Sequence, residues 1–157
     1  MPDNPKDIKV CFAASSGGHL EQLLRLESLM LKYDSFILTE KTKYGANFPV
    51  RVRYVKQVNR HEVSFIPRMI ANSFISLKDY IAERPDVVVC TGVLATIPMC
   101  LISKAFGAKL VYIESFAKTS SPTETGKLLH NYADRFYVQW RSMLDVYPDA
   151  RCVGGVY

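Results

Sequence analysis

Short apolar runs alternate with amphipathic stretches along nearly the whole chain. Ile8 to Ala13 is a continuous apolar run of the kind a central parallel strand needs, because such a strand is buried on both faces. From about Gly18 to Lys32 the pattern is helical, with Leu20, Leu23, Leu24 and Leu31 on one face and Glu21 and Arg25 as an i,i+4 pair on the wet side. Ser35 to Thr39 predicts a second strand, leading into a polar loop through Gly45 to Pro49. Arg51 to Val58 alternates charged and apolar residues, as expected of an edge strand with one solvated face. Ile66, Met69, Ile70, Phe74, Leu77 and Ile81 recur at helical spacing and predict a long amphipathic helix over 64–83, its stripe read as core-facing rather than as a membrane anchor.

Pro85-Asp86 stops that helix and starts the strand Val87 to Thr91; a second helix follows through Phe106, closed by Gly107. The uncharged stretch from Val87 to Ser103 approaches the length of a membrane span. Its β-branched Val87-Val88-Val89, Gly92 and Pro98 instead indicate a buried strand and a buried helix. Lys109 to Ile113 is the next strand, a Ser/Thr-rich loop from Lys118 to Thr125 precedes a short helix through Tyr132, and Asp134 to Gln139 is again strand. Ser142 to Tyr147 reads as a helical turn and Arg151 to Val153 as a last short strand. Strands alternating with helices through short connections specify an α/β fold, a doubly wound parallel sheet of Rossmann-like type. Ligands of such sheets lie beyond the carboxyl ends of the strands, which gathers Ser15 to His19, Thr91-Gly92 and Glu114-Ser115 along one rim.

A chain of 157 residues is one domain of ordinary size, read here as a polar N-terminal tail (1–7) and a single Rossmann-like domain (8–157). The net charge of +5 is unevenly placed: between positions 51 and 68, Arg51, Arg53, Lys56, Arg60 and Arg68 face only Glu62. Interleaved apolar residues suit that stretch to an anionic membrane surface or an acidic partner, and a merely solvated basic face is the alternative. No recognition-helix, zinc-finger or RNP-like pattern accompanies the basic residues, so nucleic acid is not an expected partner. Cys11, Cys90, Cys100 and Cys152 have no metal or disulfide spacing and read as thiols of a reduced compartment. The N-terminus matches no signal peptide. No metal site or cofactor is called for, since no carboxylate pair with metal-site spacing stands out.

The chemistry concentrates at Ala14-Ser15-Ser16-Gly17-Gly18-His19. Unpaired N–H groups at a helix start, with the partial positive charge of the helix dipole, favour a phosphate or diphosphate there without any basic side chain. Glycine lets the main chain approach such a ligand, and His19 stands beside it as a possible general acid or base. A strand-Gly-Gly-helix turn also serves simply to reverse the chain, and His19 then caps the helix or packs under the loop.

Four segments together resemble the oligosaccharide biosynthesis family: Ser-Ser-Gly-Gly-His-Leu-Glu-Gln-Leu at 15–23, Pro-Asp-Val-Val-Val-Cys-Thr-Gly at 85–92, Tyr-Ile-Glu-Ser-Phe-Ala at 112–117, and Ala-Asp-Arg-Phe-Tyr-Val-Gln-Trp at 133–140. Its members include the acceptor-side, membrane-recruiting subunit of the eukaryotic dolichol-linked N-acetylglucosaminyltransferase and bacterial capsule and exopolysaccharide proteins. The resemblance implies one half of a GT-B glycosyltransferase, with a separate donor-binding glycosyltransferase subunit as partner, and the chain is expected to stop about where a linker to the second half begins. The implied reaction is inverting transfer from a nucleotide-diphosphate sugar to a lipid-diphosphate-linked saccharide. His19 is then the base or an acceptor-diphosphate contact, with Ser16, Gly17 and Gly18 cradling that diphosphate. Glu114 is a second candidate base, or else a charge capping the following turn, and Thr91, Gly92 and Ser115 line the cleft. The alternative is a non-catalytic stabiliser or enhancer of the partner. A free-standing dinucleotide-binding protein fits less well, because the third spaced glycine is missing and only Glu40 follows the second strand. The eukaryotic subunit has an N-terminal anchor where this chain has residues 1–7, so attachment is expected to be peripheral, on the cytoplasmic face of a membrane, through the stretch 51–75.

Overall fold

The computed structural model describes residues 4–41, 47–92 and 94–157. Seven strands form one parallel sheet: β1 (Lys9–Ala13), β2 (Asp34–Glu40), β3 (Arg51–Val55), β4 (Val87–Cys90), β5 (Lys109–Ile113), β6 (Arg135–Val138) and β7 (Arg151–Cys152). Their order across the sheet is β3-β2-β1-β4-β5-β6-β7. In register, Phe12 of β1 lies between Ile37 of β2 and Val89 of β4. The pleat sends alternate residues to opposite faces, so two cores form. Val10, Phe12 and Ala14 pack with Ile37 against α1 (Gly18–Leu24) and α2 (Glu27–Lys32), burying Leu23 and Met30. Cys11, Ala13, Val88, Cys90 and Leu110 face the other side, covered by Met99 and Cys100 of α4 (Ile97–Ala105) and Leu129 of α5 (Glu124–His130). Three of the four cysteines are fully buried in this second core.

The predicted helix over 18–32 is two helices. Leu26 (φ −91°, ψ 20°) breaks it, and the turn places Met30 in the core and leaves Leu31 54% exposed. Arg25 stands over the Tyr157 ring, 5.3 Å from its centroid. Residues 4–7 are tied down: Pro5–Asp7 form a 3-10 turn, and Lys6 Nζ donates to the carbonyls of Leu31 (2.7 Å) and Tyr33 (2.8 Å). Gly45 of the predicted loop lies outside the described residues.

The largest departure from the sequence reading is α3 (Phe65–Glu83). Its apolar stripe faces outward: Ile66, Ile70, Phe74 and Ile81 are 67%, 54%, 70% and 59% exposed. The buried side is polar, made of Asn72, Ser76, Asp79 and Glu83. Specific bonds hold it there. Asn72 accepts from the Lys56 N–H and donates to its carbonyl, both at 2.8 Å, as a neighbouring strand would. Glu83 receives Arg53 (2.8 Å), Arg51 (3.0 Å) and Lys9 (3.4 Å), and Asp79 lies 3.7 Å from Arg53. The charged face of β3 therefore meets the helix instead of water. Arg51 and Arg53 are neutralised by acids distant in sequence, and Arg68 pairs with Glu62 at 3.3 Å. The free basic excess of 51–68 is smaller than the sequence suggests.

Burial pushes the Glu83 carboxyl up, but the hydrogen bond from Arg53 and the charges of Arg51 and Lys9 outweigh it and hold it below its ordinary 4.5. Folded Glu83 thus takes up a proton less readily than the unfolded chain, so its contribution is complete above its ordinary value and is lost as the pH falls through the lowered one. Asp79, pushed up by burial, works in the opposite sense. The melting temperature is expected to drop between roughly pH 5 and pH 3, and to drop less in Glu83→Gln. Equal drops in the two proteins would exclude this origin.

Candidate functional site

Winding reverses between β1 and β4, the neighbours at the centre of the strand order, and a crevice opens there at the strands' carboxyl ends. The loops after these two strands meet, with the Ser15 N–H donating to the Gly92 carbonyl at 3.1 Å. Gly17 adopts φ +81°, a left-handed value that side chains rarely tolerate, and its carbonyl accepts from the N–H groups of Leu20 and Glu21. Among the described residues, the N–H groups of Gly17, Gly18 and His19 meet no acceptor in the chain, and both glycines are exposed. Ser16 differs. Its N–H (3.2 Å) and hydroxyl (2.8 Å) both donate to Oε2 of buried Glu40, whose Oε1 accepts from the Val58 N–H. Ser16 therefore anchors the loop to the segment after β3, and the diphosphate cradle expected of three residues has its unused donors at Gly17, Gly18 and His19.

His19 is held on both sides by Thr91. Its Nδ1 lies 2.7 Å from the Thr91 carbonyl, and Thr91 Oγ1 donates to the His19 carbonyl at 2.9 Å. A carbonyl only accepts, so Nδ1 carries the hydrogen, and in the neutral ring Nε2 presents a lone pair. Gly92 (φ +104°) packs under the imidazole so closely that a Cβ there would stand 3.2 Å from Nδ1. Thr91 and Gly92 are both buried. They do not line the cleft as expected from sequence; they orient the histidine that does.

That cleft, about 460 Å³, is lined by Gly18, His19, Gln22, Ser115, Phe116, Ala117 and Tyr157. Gln22 and the aromatics are not apparent in the sequence as site residues, although a glutamine on the inner side of an amphipathic helix is a signal. It is 2% exposed, accepts from the Phe116 N–H through Oε1 (3.0 Å) and points Nε2 at the Glu114 carbonyl (3.4 Å). A second opening, about 540 Å³, lies along the same rim between the segment after β3 and the loop after β5, with Asn59, Arg60, Lys118 and Thr123 among its walls.

Glu114 follows β5 at its carboxyl end, as expected, but turns inward. It is fully buried, accepting from the Ser115 N–H (2.8 Å), the Thr123 N–H (3.2 Å) and hydroxyl (2.9 Å), and the hydroxyls of Tyr147 (3.3 Å) and Tyr112 (3.4 Å). Thr123 in turn caps α5 by accepting from the Gly126 N–H. Burial and the neighbouring Glu114 charge raise the phenols of Tyr112 and Tyr147 above the ordinary tyrosine value. Glu114 is not among the residues that line the cleft, and its hydrogen bonds fix the loop that carries Ser115 and Phe116. His130 packs against the rings of Phe136 and Tyr147, which also touch each other. Among the described residues no group of three or more His, Cys, Asp or Glu could hold a metal ion, and no helix is long and apolar enough to cross a membrane.

Known proteins bear on this site. In solved structures the fold recurs in Acinetobacter baumannii MurG (TM-score 0.69, 14% identity, 86% of this chain and 42% of that one). It recurs also in UDP-N-acetylglucosamine 2-epimerase from Rickettsia bellii (TM-score 0.72, 11% identity, 95% and 45%). The chain spans less than half of either, and its architecture is that of one half of a GT-B protein. In sequence it is 24% identical over 182 residues to the UDP-N-acetylglucosamine transferase subunit ALG14 of Mus musculus, covering 96% of this chain and 84% of the mouse protein. It is 39% identical over 75 residues to the subunit of the same name in Schizosaccharomyces pombe, covering 45% and 36%. The profile described as "Oligosaccharide biosynthesis protein Alg14 like" matches residues 30–156, and with that match over most of its length the chain belongs to the Alg14-like oligosaccharide biosynthesis family.

Proposed function

We propose that this chain is the acceptor-side subunit of a two-chain, inverting glycosyltransferase in oligosaccharide or polysaccharide biosynthesis. A second polypeptide supplies the nucleotide-diphosphate sugar, and this chain holds a lipid-diphosphate-linked saccharide at the β1/β4 crevice. The observation that carries the reading is His19, fixed by Thr91 in the tautomer that leaves Nε2 as a proton acceptor. As the acceptor hydroxyl oxygen bonds to the donor's anomeric carbon, Nε2 takes its proton, and the bond from that carbon to the diphosphate breaks. The N–H groups of Gly17, Gly18 and His19 face the acceptor's diphosphate, while Ser16, through Glu40, keeps the loop in place.

Attachment to the cytoplasmic face of a membrane belongs to the same reading, and what supports it is α3 rather than the paired arginines of β3. Its outward stripe is flanked by Lys78 and Arg84, both exposed and without an ion pair among the described residues. A helix of this kind lies in the interface plane with its apolar side among the acyl chains. Vesicles containing anionic phospholipid are expected to sediment the wild-type chain and to release Ile70→Ser/Phe74→Ser. Equal sedimentation of both would remove α3 from the attachment.

The subunit reading is tested by assaying the donor-binding partner alone, with the wild-type chain, and with His19→Ala. Activity restored by wild type only marks a shared active site. Equal restoration by both makes this chain a non-catalytic stabiliser.

A further inference from the structure

We infer that the aromatic wall beside His19, formed by Phe116 and Tyr157 and backed by Trp140, is the subsite on which a neutral pyranose ring of the acceptor stacks. The inference rests on the acceptor-side reading and names what fills that cleft. Phe116 is the centre of the wall, its ring 4.9 Å from that of Trp140 and 5.1 Å from that of Tyr157. Its backbone is clamped at both ends. The Phe116 N–H donates to Gln22 Oε1 at 3.0 Å, and Trp140 Nε1 donates to the Phe116 carbonyl at 2.7 Å. Behind Tyr157 stands Arg25, and the Val156 N–H donates to Gln139 Oε1 at 3.0 Å, so the segment carrying Tyr157 is also held. Rigid rings lose little entropy on binding. Yet Trp140 and Tyr157 remain 38% and 57% exposed, an unusual expenditure of aromatic surface on solvent.

The lining selects the ligand class. Among the described residues no Asp, Glu, Lys or Arg lines this cleft, unlike the neighbouring opening with Arg60, Lys118 and Glu124, so its side chains suit an uncharged ring, while the backbone N–H groups of Gly18 and His19 are left for the diphosphate. One face of a pyranose presents C–H bonds, whose positive edge is attracted to the negative face of an aromatic ring. The rim hydroxyls need polar partners. Ser115 Oγ accepts from the Ala117 N–H and keeps its own proton to donate, and His19 Nε2 accepts. The ring that stacks here is therefore within the cleft that contains the proposed base.

Trp140 is the only tryptophan in the chain, so its fluorescence reports this wall without catalysis or partner. The test titrates the isolated chain with farnesyl-diphosphate-linked N-acetylglucosamine, glucose and galactose, and with sugar-free farnesyl diphosphate. A saturable change with at least one saccharide and not with farnesyl diphosphate is expected. For that saccharide, Tyr157→Leu is expected to weaken binding about tenfold, equal to about 1.4 kcal/mol. Tyr157 is largely exposed, so its loss leaves the core intact, and Phe116→Leu checks the same wall from inside. No change with any saccharide, or an equal change with sugar-free farnesyl diphosphate, overturns the subsite. A change produced only by adding the donor-binding subunit overturns it also and makes the wall a protein interface. The His19→Ala chain separates this inference from the reading beneath it: a normal titration with full restored activity refutes the base and leaves the platform standing. Lost activity beside a silent wild-type titration does the reverse.

Discussion

Replacing His19 by alanine is expected to lower kcat of the reconstituted two-chain enzyme by about 10²- to 10⁴-fold, the usual worth of a positioned general base. Association of the two chains, measured by gel filtration, is expected to stay unchanged, because the imidazole packs within this chain's own crevice against Gly92 and the Thr91 carbonyl. Activity within twofold of wild type would remove the base. Gly92→Ala tests the same point without touching the ring's chemistry. The added methyl would meet Nδ1 at 3.2 Å and Cε1 at 3.3 Å on a backbone at φ +104°, so the imidazole must shift or the turn must strain. A displacement of the reacting group by about 1 Å is worth roughly 10²-fold in rate; the contacts here call for a shift of only a few tenths of an ångström, so Gly92→Ala is expected to lose activity by less than roughly 10²-fold while still folding.

The largest stability effect is expected at Glu114. Glu114→Ala strands the Ser115 and Thr123 N–H groups and the hydroxyls of Thr123, Tyr112 and Tyr147, all within hydrogen-bonding distance of one buried carboxylate. A buried donor left without its acceptor costs about 1–3 kcal/mol; sharing and partial rearrangement bring the expected total to about 3 kcal/mol, near the upper end for single substitutions. In a chain of this length that lowers the melting temperature by roughly 6–12 °C. Gly126→Ala attacks the cluster from the other side. A Cβ at Gly126 would overlap Glu114 Oε2 and stand 2.8 Å from the Tyr147 hydroxyl and 2.9 Å from Thr123 Oγ1. Calorimetry of the two variants checks both, and melting within about 2 °C of wild type would show that the carboxylate does not organise the loop.

The strands were legible in the sequence because a parallel strand buried on both faces is an uninterrupted apolar run with turn residues at its ends. Lys109–Ile113 coincides with its predicted span, β1 and β4 differ by one residue at one end, and β2 extends by one residue at each end. The Gly-Gly-His turn was legible for a similar reason. Gly17, Gly18 and His19 are neighbours in sequence, and the unpaired N–H groups of a helix start are a local property. Across the rim, Thr91, Gly92 and Ser115 could be brought to the same end of the sheet from topology alone, but their parts there could not be assigned. Whether Thr91 lines a cleft or grips a histidine depends on where its side chain points after packing.

Determined by the amino-acid sequence itself, then, were the doubly wound sheet, the Gly-Gly-His turn at its centre and the grouping of apolar residues on one side of α3. Periodicity states which residues share a helix face; it does not state which way that face points. Tertiary structure decided that, through Asn72 bonded to the Lys56 backbone and Glu83 bonded to Arg51 and Arg53, contacts between segments 16 to 32 residues apart. It also cancelled much of a basic excess visible at 51–68, and turned Glu114 inward onto Thr123 and two tyrosines. Charge pairs and buried hydrogen bonds join residues remote in the chain, and a linear pattern carries no record of which remote residue will arrive.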